Sequence, residues 1–280
     1  MQSFKEWFSG YEDNFVVIGG AACSILMNER GDDFRATKDI DIVLLIESMN
    51  EQFGKRFWEY VIEAGYKYRQ KSTGKPQYYR FYKPFTSNFP EMIELFSRQA
   101  DELLLPNNAV ITPIPISEEI SSLSAILLDD RYYHFLRDGV RKIDGFPVLD
   151  ELHMIPFKAK AWLDLTERRR KGESIDRNDI NKHRRDIFRL SDMVSGGYKL
   201  TLPETLAQDM RAYLTAIREL TSSMPHKERE ADRRRIGKIT TFLSIGRAVL
   251  IWTKQNYSKT VGEGVVVCIY KNVTPIDKNN

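Results

Sequence analysis

Residues Phe15 to Leu45 read FVVIGGAACSILMNERGDDFRATKDIDIVLL. The β-branched run Val16-Val17-Ile18 predicts a short strand that ends in Gly19-Gly20. Ala21, Ala22, Cys23 and Ser24 start a helix of small residues, a polar loop follows, and Asp39-Ile40-Asp41-Ile42-Val43-Leu44 predicts a second strand. Side chains alternate faces along a strand, so Asp39 and Asp41 point one way while Ile40 and Ile42 point into the core. Two carboxylates one pleat repeat apart can share a hard divalent cation such as Mg2+. Glycine permits positive φ and a close backbone approach, and the helix behind it aims unpaired N–H groups at an anion. Strand, glycine turn, helix and Asp-x-Asp strand together form the outline of a phosphate-and-metal site.

The arrangement resembles the signature of the DNA-polymerase-β-like nucleotidyltransferase superfamily: a hydrophobic strand, Gly-Gly or Gly-Ser, a helix, Asp-hydrophobic-Asp, and a third carboxylate on a later strand. Glu94 is the candidate for the third, within Glu91-Met92-Ile93-Glu94-Leu95-Phe96. The form Arg35-x-Thr37-x-Asp39-Ile40-Asp41 is similar to the abortive-infection type IV toxin (AbiEii-type) nucleotidyltransferases. That family carries a downstream lysine-alanine helix and a basic segment ending in Asp-hydrophobic-aromatic-x-Leu. PFKAKAWLDL supplies Lys158 with Ala161, and KHRRDIFRL supplies Asp186 with Ile187, Phe188 and Leu190. The chain departs from the pattern with Lys182-His183 where the family has Lys-Asp. It also has glycine rather than serine at position 20, which leaves a phosphate contact to backbone N–H groups or to Ser24. The likeness runs from about Phe15 to Leu190.

The resemblance implies a nucleotidyltransferase catalytic domain, a mixed sheet with flanking helices. The sequence pattern changes near Asp150 from mixed strand and helix signals to long helical segments, so this domain is expected over residues 1–150 and an all-α domain with a short C-terminal tail over 151–280. It implies Mg2+, two ions in the usual scheme, held by Asp39, Asp41 and Glu94, with an NTP as substrate. Gly19, Gly20, Ser24, Arg35, Thr37 and Lys158 would contact the nucleotide, and Asp186 would complete the catalytic set. The implied reaction moves a nucleoside monophosphate from the NTP to a hydroxyl on RNA, a protein or a small molecule. A toxin of this kind would have a cognate antitoxin. The alternatives are a catalytically degenerate nucleotide- or partner-binding protein on the same scaffold, or a small-molecule nucleotidyltransferase of the aminoglycoside type.

At 280 residues, 42% hydrophobic and 29% charged, the chain suits about two globular domains. It contains no apolar run near the ~18 residues of a membrane span. The start, MQSFKEWFSGYEDN, lacks the features of a signal peptide. Cys23 and Cys268 lack pairing or metal-ligand spacing, which fits a reducing cytoplasm. The net charge of +3 is unevenly spread: residues 1–150 hold 17 Lys+Arg against 23 Asp+Glu, and residues 151–280 hold 25 against 16. An acidic half beside a basic half fits a metal site next to a polyanion-binding surface, though basic helices are commonly just solvated.

The periodicity predicts helices at 4–9 and Asn50–Ala64, the latter stopped by Gly65. Tyr66–Gln70 and Tyr78–Tyr82 read as a hairpin, with the tyrosines packing on the sheet. Glu91–Phe96, Ala109–Ile116, Ser122–Leu128 and Val261–Tyr270 read as strands. Long helices are expected at Pro156–Arg170, Asp176–Val194, Pro203–Ser222 and Lys227–Trp252. Lys158 and Lys160 of KAKA lie on different helix faces, and Lys158 is the choice for the triphosphate. Asp186 has a competing reading as partner to a nearby arginine. His183 shares a face with Asp179 and Asp186 and reads as a local hydrogen-bonding residue. Arg168–Lys171 and Arg233–Arg235 are the candidates for phosphate contacts if RNA binds.

Overall fold

The structure is a computed structural model, and it describes residues 1–34, 37–45, 50–67, 78–96, 129–194 and 199–244. Met1–Ile245 form one compact unit. The predicted strands at Ala109–Ile116, Ser122–Leu128 and Val261–Tyr270 lie outside the described residues, as does the part beyond residue 244 of the helix expected over Lys227–Trp252; within the described residues that helix ends earlier than expected, at Phe242.

The elements run α1 (Gln2–Trp7), β1 (Phe15–Ile18), α2 (Gly19–Glu29), β2 (Asp39–Leu44), α3 (Glu51–Ala64), β3 (Tyr78–Tyr82), β4 (Met92–Phe96), α4 (Asp130–Asp138), β5 (Val140–Ile143), β6 (Phe146–Leu149), α5 (Glu151–Arg170), α6 (Arg177–Met193), β7 (Leu200–Thr201), α7 (Glu204–Ser222), α8 (His226–Phe242) and β8 (Leu243–Ser244). Six strands form one mixed sheet in the order β3-β4-β2-β1-β6-β5. β1 is antiparallel to β2 and parallel to β6, and β2 is parallel to β4. The apolar run of β1 is buried at all four positions, as a central strand covered on both faces requires.

The pleat sorts the sheet into two unlike faces. Phe15 pairs with Leu44, Ile40 with Ile93 and Phe81 with Ile93, so all of these share a face. α1 and α3 cover it through an aromatic cluster in which Phe8 touches Phe15, Phe53, Phe57 and Tyr60, and Phe57 meets Phe81 edge-on. Fully burying each such ring contributes roughly 1.5–3 kcal/mol. The opposite face carries Asp39, Asp41 and Glu94.

α3 begins and ends where expected. The Asn50 side chain accepts the Phe53 N–H at 2.8 Å, and Gly65 closes the helix at φ 65°. Asp176 caps α6 in the same way, accepting from the Asn178 N–H. α5 corrects the expectation that Pro156 opens a helix, since it starts at Glu151 with Pro156 inside. Asp150 is the stronger start signal, because its Oδ1 accepts the His153 N–H at 2.8 Å. Pro156 then leaves the Leu152 carbonyl without its usual helical donor. α4 and the β5–β6 hairpin were not anticipated. The hairpin turns on Asp144-Gly145, both at positive φ, the conformation that Asp-Gly favours. After Asp150 the described chain is helical apart from the two-residue ladder β7–β8. No helix among the described residues is long and apolar enough to cross a membrane.

Candidate active site

The site is a row of polar side chains on three adjacent strands, β2, β4 and β3, beside the end of β1. Ile18 at the end of β1 is opposite Asp41 on β2, Asp41 is in register with Glu94 on β4, and Glu94 is opposite Arg80 on β3. Asp39 lies two residues before Asp41 on the same face. Glu94 is 14% and Arg80 24% exposed, and both Arg80 Nε and Nη2 donate to Glu94 Oε1, at 2.9 and 2.6 Å.

Like charges crowd this row. Burial, and then the neighbouring Glu94 carboxylate, push the Asp41 carboxyl up to about 7, while Lys158 and Lys182 pull it down. Asp41 and Glu94 lie within hydrogen-bonding reach of one another. Burial, Glu94 and Glu91 raise Asp39 as well, against Lys182 and Arg80. A shared cation would relieve this repulsion, and hard oxygen donors suit Mg2+. Asp39 and Asp41 fit such an ion. Among the described residues, however, no three His, Cys, Asp or Glu side chains gather tightly enough to hold one as a ready-made cage, and Glu94 is held by Arg80.

Gly19 is at once the end of β1 and the first residue of α2. Its φ is 68°, and a Cβ there would fall 1.9 Å from Asp41 Oδ2. Only a residue without a side chain satisfies both constraints. The α2 N-terminus has no side-chain cap, so its first N–H groups face the same end of the sheet as Asp41. Ser24 is half-buried in the second turn of α2, further from that end. Gly19→Ala is expected to destabilise the fold by about 1–3 kcal/mol, from backbone strain and displacement of Asp41. Thermal unfolding checks this, and an unchanged melting temperature would remove the requirement for glycine.

Lys158 and Lys160 have different partners. Lys158 and Asp186 are each 3% exposed, and Lys158 Nζ donates to Asp186 Oδ2 at 2.8 Å. Asp186 therefore has Lys158 as a buried partner. The first half of α5 is buried nearly all round, which takes Lys158 inside, close enough to Asp41 to affect its proton affinity. Lys160 turns away to Asp209 Oδ1 at 2.7 Å, and Asp209 Oδ2 also accepts from the Tyr132 hydroxyl.

Thr37 Oγ1 is buried without a hydrogen-bond partner. It lines a cleft of about 800 Å³ with Lys38, Asp39, Tyr82, Phe85 and Met92. Arg35 lies outside the described residues. Asp179 is exposed and His183 half-buried, so their shared face with Asp186 runs from solvent to core. Two residues near the carboxylates, Lys182 and Arg80, were not among the expected site residues, although Lys182 was named as part of Lys182-His183. Lys182 precedes Asp186 by one helical turn, a spacing that was legible. Arg80 sat unnoticed in the aromatic alternation Tyr78-Tyr79-Arg80-Phe81-Tyr82.

No protein-family model matches the chain, and no curated protein matches it. Among solved structures, an antigenic nucleotidyltransferase-like protein from Paracoccidioides brasiliensis is similar over 82% of this chain and 93% of its own, at 16% identity and a TM-score of 0.39.

Proposed function

We propose that the protein is a Mg2+-dependent nucleotidyltransferase. The carrying observation is the contact of Gly19 with Asp41: a side-chain-free helix start set against a strand-borne carboxylate row. In the reaction, an acceptor hydroxyl oxygen bonds to the α-phosphorus of an NTP, the α–β phosphoanhydride bond breaks, and pyrophosphate leaves. The N–H groups at the head of α2 would bind the phosphates. Asp39 and Asp41 would hold Mg2+, and Glu94 is the further ligand that the resemblance implies. The chemistry such an ion would supply there is neutralisation of triphosphate charge and acidification of the attacking hydroxyl. Glu94 is the carboxylate we assign to take the hydroxyl's proton. Lys158, fixed by Asp186, supplies positive charge behind Asp41.

The strand order leaves room for donor and acceptor on opposite sides of β2. Gly19 flanks β2 on one side, while Tyr82 and Met92 of the cleft belong to β3 and β4 on the other. The acceptor would enter through this cleft, where Phe85 is 90% exposed. The experiment is incubation with Mg2+ and each NTP, labelled in parallel at the α or the γ phosphorus, with extract RNA, protein and small-molecule fractions as acceptors. Label transferred from the α position supports the reading, and transfer from the γ position alone would contradict it.

The basic runs favour a protein or small-molecule acceptor over RNA. Arg168 pairs with Glu173, Arg170 with Glu167, and Arg235 with Asp192. The charge reversals Arg168→Glu and Arg170→Glu are therefore expected to change RNA affinity less than about threefold. A loss of tenfold or more in filter binding would restore RNA as the acceptor. A type IV toxin role, in the cytoplasm and opposed by a cognate antitoxin, is the biological form of this proposal. Expression should arrest growth in an Asp41-dependent way, and rescue by a neighbouring gene product would identify the antitoxin.

A further inference from the structure

We propose that Arg80 stands in for a second cation at the carboxylate row, so that the site holds one divalent ion, on Asp39 and Asp41. The proposal rests on the metal-dependent reading above. It departs from the two-ion scheme in giving Glu94 to a side chain of the protein itself.

Three observations carry it. The first is register: Arg80 is directly opposite Glu94 on the antiparallel β3–β4 pair, so the contact is built into rigid neighbouring strands and does not depend on a long surface side chain. The second is geometry. Two guanidinium nitrogens donate to one carboxylate oxygen at 2.9 and 2.6 Å, in a pair that is mostly withdrawn from water. Guanidinium keeps its charge at all physiological pH and is weakly hydrated, which makes it the cation best suited to such a position. The third is charge. Asp39, Asp41 and Glu94 carry three negative charges when ionised; Arg80 cancels that of Glu94, and Lys182 acts on Asp39 and Asp41, so little negative charge is left for more than one divalent ion. A second ion on Glu94 would either evict Arg80 or sit against its positive charge, with Lys182 also facing the row.

The test uses Mn2+ alone as the probe, titrated into the nucleotide-free full chain and followed by the electron paramagnetic resonance of free Mn2+. The wild-type protein is expected to bind one Mn2+ per chain. Arg80→Met should bind a second ion, or bind the first at least about fivefold more tightly, while Arg80→Lys should still bind one. Arg80→Met should also melt at a lower temperature than wild type in EDTA and recover when Mn2+ is added. A purely structural arginine would leave the Mn2+-dependent rise in melting temperature no larger in Arg80→Met than in the wild type. Two ions bound by the wild type, or Arg80→Met binding one ion with unchanged affinity and no recovery, would overturn the proposal. Absence of Mn2+ binding in every variant would overturn it together with the metal-dependent reading. One ion bound without nucleotidyl transfer would support the Arg80 assignment while removing the proposed activity.

Discussion

Asp41→Asn is expected to lower turnover by about three orders of magnitude or more, since losing a cation-holding carboxylate forfeits several kcal/mol of transition-state stabilisation. The same substitution should raise the melting temperature of the metal-free protein at pH 8. Asp41 is held up to about 7 by burial and by Glu94, above its unfolded value near 3.8. The folded state therefore keeps a proton that the unfolded state has already released, and ionising Asp41 opposes folding. Through this group the metal-free wild type loses stability as pH rises from about 4 to about 7. Asn carries no charge, so that part of the decline should vanish. Thermal unfolding in EDTA from pH 4 to 8, wild type beside variant, measures both effects. A variant less stable than wild type at pH 8 would make Asp41 a structural residue.

The second large effect falls on the buried pair behind the row. Asp186→Leu leaves the Lys158 ammonium inside the protein without its carboxylate, and breaking a buried pair in this way costs about 3–5 kcal/mol. For a unit of this size the melting temperature should fall by about 10 °C. Adding Lys158→Met should restore much of the loss, because two apolar side chains of similar volume remove both charges together. Lys160→Ala should cost far less, since the Lys160–Asp209 contact is partly solvated. Equal losses from Lys158 and Lys160 substitutions would contradict the assignment of Lys158 as the buried partner.

What the sequence revealed was mostly local. Val16–Ile18 followed by glycine, the Asp-Ile-Asp alternation, and the Asn50 and Gly65 boundaries of α3 each rest on contacts within a few residues. Asp39 and Asp41 could be placed on one face from the period of a strand alone. What was missed depends on chain segments meeting at a distance. Nothing in Tyr78–Tyr82 shows that Arg80 will lie opposite Glu94. KAKA offers two lysines, and only the packing of α5 inside the molecule decides which is buried. The β5–β6 hairpin is the exception, because Asp144-Gly145 between Val140–Ile143 and Phe146–Leu149 carried a readable turn signal. Pro156 misled because a residue suited to a helix start was tolerated inside one whose better cap, Asp150, lay six residues earlier.

The central claim is that this carboxylate row transfers nucleoside monophosphates. The most direct measurement is pyrophosphate release, quantified alongside α-label transfer, for wild type and Asp41→Asn with Mg2+ and with EDTA. Pyrophosphate equal to the label transferred, present only for wild type with Mg2+, is the predicted result. Pyrophosphate release that is the same in both proteins, or label transfer without pyrophosphate, would contradict it.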